Sequence, residues 1–272
     1  MTRRFAALYA VFALLLAGNA TAGPMPSPAP LPSLRVAVSE ANGRPFVLYD
    51  DQDRFQGGLA RDILDHLGRH LALAPTYMNV PRARVEPWLR AGRIDAACFL
   101  APGWVRDAKA LRWSPPLFQI QQVIVSPSGA AEVTGPHALF GKRVGTLLNY
   151  VYPELGWYFA DQRIRRVDAP SLESNIAKLE RGRIDAFLFD DVETLYAVEH
   201  GALAGNVRID PLWTARDSVY CAFSPSFAAR TDGWSAELQS LAASGQIERW
   251  IAAYTGGRRV TGGMPSRALH ER

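Results

Sequence analysis

Apolar positions along this chain follow two periods. Compact apolar runs at 34–38, 77–80, 97–100, 143–147, 164–167 and 187–189 read as strands, several continuous enough to be buried on both faces. Between them apolar residues return every three or four positions. Leu59, Ile63, Leu64, Leu67 and Leu71 mark one helix, and Leu172, Ile176 and Leu179 another, with Ser171 as its cap and Glu173 in its positive first turn. Further helices are expected at 82–91 and 152–160. Each half of the chain therefore runs strand–helix–strand–helix–strand. Residues 121–125, followed by the Ser/Pro/Gly stretch 126–129, form the crossover, and 218–223 a strand that can return. Two closing stripes, Trp234, Leu238 and Leu241, then Ile247, Trp250, Ile251 and Tyr254, break at Gly245 and read as core packing.

One short stretch occurs twice. Leu89–Ala96 reads L-R-A-G-R-I-D-A and Leu179–Ala186 reads L-E-R-G-R-I-D-A, identical at six of eight positions. In each, a helix ends on glycine, which takes the left-handed cap conformation without side-chain cost, and a buried strand follows. Duplication of this unit predicts two α/β lobes with a cleft between them.

Composition adds boundaries. The chain has 272 residues and a formal charge of +4. Arg3 and Arg4 belong to an expected export signal, with an apolar core at 5–17 and the small-residue cleavage site Ala20-Thr21-Ala22. Without those two arginines the charge is about +2, too small to argue for a nucleic-acid partner. The expected plan is a signal peptide at 1–22, a Pro-rich leader at 23–33, lobe one at 34–124 plus 221–256, lobe two at 125–220 and a disordered tail at 257–272. Removal of the signal near Ala22/Gly23 would leave the chain in the periplasm. There the two cysteines, Cys98 and Cys221, meet an oxidising environment; they can form one bridge or remain two buried thiols.

In open α/β sheets ligands sit beyond the carboxyl ends of strands. That rule selects Asp190, directly after the apolar run ending at Phe189, and Arg106, in the loop after Phe99 and behind Trp104. A guanidinium grips a carboxylate through two parallel hydrogen bonds, and an aspartate accepts from an ammonium, so one on each lobe would clamp an amino-acid zwitterion. His66 and His70 lie four apart on one helix. They lack the intervening glutamate of the zinc-peptidase pattern and read as a solvated helix face, so no metal is expected. No Gly-x-Ser-x-Gly elbow or phosphate-cradling glycine loop is present, and no cofactor is expected.

The order of these pieces resembles a family. Leu34–Val38, Pro45-Phe46, Gly58, Asp62, Pro81, Arg84, the first Gly-Arg-Ile-Asp-Ala, Arg106, Phe118, Leu139–Gly145, the second Gly-Arg-Ile-Asp-Ala with Asp190, and the helices up to Tyr254 together resemble the family 3 extracellular solute-binding proteins. These proteins feed polar amino acids to ABC importers. The resemblance spans 34–254 and implies a type II periplasmic-binding-protein fold: two Rossmann-like lobes joined by two crossing segments. It implies that Arg106 holds the ligand carboxylate, although the family's threonine three residues earlier is Gly103 here and the loop is a residue shorter. It implies that Asp190 receives the amino group. The second-lobe loop, often Gly-Tyr-x-Tyr in one branch, is Asn149-Tyr150-Val151-Tyr152; it implies Asn149 and Tyr150 as ligand-binding residues, and asparagine tolerates the left-handed backbone a glycine would adopt. Phe46 and Trp104 would pack on the ligand's apolar part. The implied partners are a small-molecule ligand and a membrane permease, with the protein itself monomeric. The alternatives are a dehydratase using the same cleft, with Asp190 or Glu40 as acid or base, and a ligand-sensing partner of a membrane receptor.

Overall fold

The structure is a computed structural model that describes residues 30–260 apart from 40, 149, 204, 205 and 215. The expected signal peptide, leader residues 23–29, tail residues 261–272, Glu40 and Asn149 lie outside the described residues. Every element below belongs to the compact unit Leu31–Arg272.

The first half runs β1 (Ser33–Val38), β2 (Leu48–Tyr49), β3 (Phe55–Gly57), α1 (Leu59–His70), β4 (Ala74–Asn79), α2 (Arg82–Arg90) and β5 (Ala96–Leu100). β6 (Arg112–Trp113) and β7 (Phe118–Ile120) lead to β8 (Gln122–Pro127). The second half holds β9 (Arg143–Leu147), α3 (Pro153–Ala160), β10 (Arg165–Ala169), α4 (Leu172–Glu180), β11 (Ala186–Asp190), α5 (Asp191–Glu199) and β12 (Val207–Pro211). β13 (Asp217–Phe223) follows, and α6 (Pro225–Arg230), α7 (Trp234–Ala243) and α8 (Gln246–Tyr254) close the series.

The strands form two large sheets of matching design. One has the order β4-β1-β5-β13-β6, with β7 also paired to β13, and the other β10-β9-β11-β8-β12. In each, three parallel strands stand in the order second, first, third. An antiparallel strand follows, and it comes from a crossing segment: β13 against β5, and β8 against β11. The chain passes from the first sheet to the second at Gln121, between β7 and β8, and returns between β12 and β13. Both passages lie a few residues before the lobe boundaries expected at 124/125 and 220/221.

The repeated octapeptide has the same job in both sheets. Gly92 and Gly182 adopt φ of 64° and 62°, the left-handed turn that lets α2 and α4 drop into β5 and β11. The aspartate that follows reaches to the arginine of the neighbouring first strand. Asp95 accepts from the Arg35 amide at 2.9 Å and from its guanidinium at 2.9 and 2.8 Å. Asp185 does the same with Arg143 at 2.7, 3.2 and 2.8 Å. Asp95 is wholly buried and also accepts from Arg230 at 2.6 Å. Burial opposes its charge, but the hydrogen bonds from Arg35 and Arg230 prevail and hold its carboxyl below the ordinary value.

The apolar face of α1 carries Leu59, Ile63, Leu64 and Leu67, all fully buried against β1, β5 and the closing helices. Separate apolar clusters cover the second sheet, one around Ile176, Phe187 and Phe189, another around Leu139, Leu155 and Leu188. Cys98 on β5 stands opposite Cys221 on β13, and a disulfide joins them. Among the described residues no helix is long and apolar enough to cross a membrane.

Candidate functional site

A cleft of about 320 Å³ opens at the carboxyl ends of the strands. Residues following β1 and at the ends of β5, β9 and β11 all reach it, where the strand-end rule places ligands. One wall comes from the first half: Asn42, Gly43, Arg44, Phe46, Phe99 and Trp104. The other comes from the second: Tyr150, Tyr152, Ser171, Glu173, Asp190 and Glu193. At roughly 30 Å³ per water, this volume suits a ligand displacing about ten waters. A larger hollow, about 540 Å³, lies between Phe118, Arg216 and α8. Its buried acid Asp191 is answered by the Gln121 amide at 3.0 Å and by Arg216 at 3.9 Å.

The floor is aromatic. Phe46 and Phe99 meet with ring centroids 4.7 Å apart and planes tilted by 32°, and Phe118 backs them at 6.2 and 6.3 Å. Phe99 adopts φ of 62° within β5, opposite the register shift between Tyr220 and Cys221. A bulky residue in the left-handed region costs about 1–3 kcal/mol, a strain typical of functional positions. Here it accompanies a bulge that aims the ring into the cleft.

The acids face this floor. Asp190 ends β11 and caps α5, its Oδ1 accepting the Glu193 amide at 2.9 Å. Burial pushes its carboxyl from the ordinary 3.8 up to about 7, the neighbouring Asp191 charge pushes the same way, and the hydrogen bond from Glu193 opposes them. Glu193 is raised well above its ordinary value, first by burial and then by Asp190, while the Gly43 amide draws it back. Gly43 comes so close from the opposite wall that a Cβ there would fall on the Glu193 carboxylate. Among the described residues the ion pairs of this region engage Asp191, through Arg216, and neither Asp190 nor Glu193. Burial and the Asp190 charge also raise the Tyr150 phenol to about 12, so it faces the cleft as a neutral donor.

Of the expected site residues, the structure brings Phe46, Trp104, Tyr150 and Asp190 to one cleft. Asn149 lies outside the described residues. Arg106 is not among the cleft residues. Glu86 on α2 accepts from the Arg106 and Asp107 amides at 3.0 Å each, pinning that loop to the helix and leaving the Arg106 side chain exposed. The guanidinium that does line the cleft is Arg44, which donates to the Tyr49 carbonyl at 3.1 Å. Glu193, Gly43 and Phe99 escape the strand-end rule. Glu193 has a sequence signal, an acid three residues after a capping aspartate. Phe99 is hidden inside an apolar run, and Gly43 inside a polar loop.

No protein-family model matches the sequence, and no curated protein matches it. Solved structures do match in shape. An ancestral arginine-binding protein bound to arginine superposes with a TM-score of 0.63 at 19% identity, over 82% of this chain and 97% of that one. An ancestral cationic amino acid solute-binding protein gives 0.67 at 15% identity, over 82% and 95%. The B. pertussis BvgS periplasmic domain gives 0.67 at 23% identity, over 83% of this chain and 43% of that longer one. The chain has the two-lobed α/β fold of the type II periplasmic binding proteins, the fold these amino-acid solute-binding proteins share.

Proposed function

We propose that this chain is a periplasmic solute-binding protein that captures an amino acid, or a related small molecule with a cationic amino group, and passes it to an ABC importer. The observation that carries this reading is the buried Asp190–Glu193 pair, raised by burial and without an ion-pair partner among the described residues. A ligand ammonium or guanidinium placed between them would supply the missing charge, and both carboxyls would ionise in its field. Phe46, Phe99 and Trp104 offer apolar and π faces for the remainder of the ligand. Arg44, rather than Arg106, is the guanidinium placed to meet a ligand carboxylate.

Because the two walls come from different lobes, a ligand touching both favours the closed arrangement through its differential contacts. The arginine-bound neighbour supports an amino-acid ligand. Export by the expected signal peptide and a monomeric state belong to the same proposal. A thermal-shift screen of L-arginine, L-lysine, L-glutamine, L-glutamate and putrescine tests it, since a ligand bound only by the native state raises Tm. Stabilisation by one or more of these ammonium-bearing molecules, lost in Asp190→Asn, is expected; stabilisation that Asp190→Asn leaves unchanged would overturn the charge assignment. A carboxyl near 7 also suits a proton donor, which keeps a dehydratase reading open to one test: substrate turnover followed by mass spectrometry.

A further inference from the structure

On the helices that cover the first sheet, three side chains from two elements converge. His66 and His70 stand one turn apart on α1, their rings tilted by 32° with centroids 4.2 Å apart. Glu237, in the first turn of α7, sets its Oε1 at 2.7 Å from His66 Nε2 and at 3.7 Å from His70 Nδ1. One ligating atom from each of the three lies within 4.8 Å of the others. None of them lines the cleft.

We propose that His66, His70 and Glu237 form a binding site for a borderline divalent transition-metal ion, zinc above all, which fastens α7 to α1. The donor set decides the class of ion. Two imidazole nitrogens and one carboxylate oxygen suit zinc, cobalt or nickel, whereas calcium and magnesium take oxygen donors. Metal bonds of about 2.0–2.2 Å put tetrahedral ligand atoms about 3.3 Å apart. The present spacings of 2.7 and 3.7 Å bracket that figure, so small side-chain rotations open one contact and close the other.

The ion takes the place of the proton now shared by His66 Nε2 and Glu237 Oε1, and that proton leaves to solvent or moves to His66 Nδ1. His70 Nδ1 now lies 2.9 Å from the His66 carbonyl. On binding it exchanges that contact for the ion, and its proton is carried by Nε2, where it can donate to water. His66 and Glu237 are largely buried while His70 is half exposed, so the fourth position opens to water.

The experiment uses the untagged, exported protein, stripped with chelator and titrated with Zn²⁺ by calorimetry, with Co²⁺ absorption as a second reading. One zinc per chain is expected, together with the visible bands of low-coordinate cobalt and a metal-dependent rise in Tm. His70→Ala alters a half-exposed residue and Glu237→Gln keeps the side-chain shape, so both variants fold. Each is expected to weaken zinc binding roughly tenfold or more, since each removes one of only three protein ligands. Absence of saturable uptake by the wild type, or uptake that neither substitution changes, would overturn the site. So would a Glu237→Gln variant that melts lower yet keeps the full zinc-dependent rise, because the His66–Glu237 contact would then be only a link between helices.

Discussion

Replacing Asp190 by asparagine isolates the strongest electrostatic feature of the cleft. Asparagine caps a helix as well as aspartate does, so the bond from the Glu193 amide is kept, while the titration at this position and its upward push on Glu193 disappear. In the wild type the carboxyl moves from 3.8 in the unfolded chain to about 7 in the native one. The native state therefore holds a proton that the unfolded state has released, and stability falls as pH rises. The contribution is whole below 3.8 and is lost as pH passes through about 7. Linkage over this interval gives a loss of roughly 2–3 kcal/mol between about pH 5 and about pH 8. For a chain of this size that corresponds to a fall in Tm of about 5–10 °C.

Asp95, Asp168 and Asp185 are held below their ordinary values and complete their titration under this window, so they add no slope within it. Glu193, Asp191 and Asp217 are raised and share the sign. The decisive quantity is therefore the difference between wild type and Asp190→Asn. Calorimetric melts of ligand-free protein at constant ionic strength should show the wild type losing stability toward pH 8 and the variant following a flatter curve. A cationic ligand that restores an ordinary acid at this position should also bind about tenfold tighter at about pH 8 than at about pH 6. A wild-type melting profile that rises with pH, or two parallel profiles, would refute the reasoning.

Three further outcomes are expected. Asp95→Ala empties a fully buried position that accepts from the Arg35 amide and from two partly exposed guanidinium groups, and should cost about 1–3 kcal/mol in urea unfolding, whereas Asp185→Ala, in a half-exposed pair, should cost about 1 kcal/mol or less; equal costs would contradict the burial argument. Reducing the Cys98–Cys221 bond, which spans a sequence separation of 123, should lower stability by about 5 kcal/mol, read from melts with and without reductant after mass spectrometry has confirmed the redox state. Gly43→Ala sets a methyl group against the Glu193 carboxylate and should weaken calorimetric ligand affinity by about 1–3 kcal/mol while the lobes keep their melting behaviour; unchanged affinity would mean that the two walls do not meet there in the bound state.

Local regularities were readable in the linear chain because they follow from single elements. The Gly-Arg-Ile-Asp duplication marks helix ends, left-handed glycines and buried strands, all of which depend on neighbouring residues. The Ser171 cap and the buried face of α1 follow from the same short-range rules. Asp190 could be picked out because it directly follows an apolar run and closes the strand that run forms. Other features needed the folded chain. That the repeated aspartates serve Arg35 and Arg143 depends on which strands become neighbours. Arg106 stands in the loop that position suggests, but Glu86 on another element holds its backbone amide, and its side chain is exposed and is not among the cleft residues. Gly43 meets Glu193, and Glu237 meets His66, across separations of 150 and 171 residues in the chain. Spacing along a chain encodes periodicity and caps, which are local. Burial of a charge, and the identity of whatever faces it, arise from packing between distant segments, and those two quantities set the chemistry of this cleft.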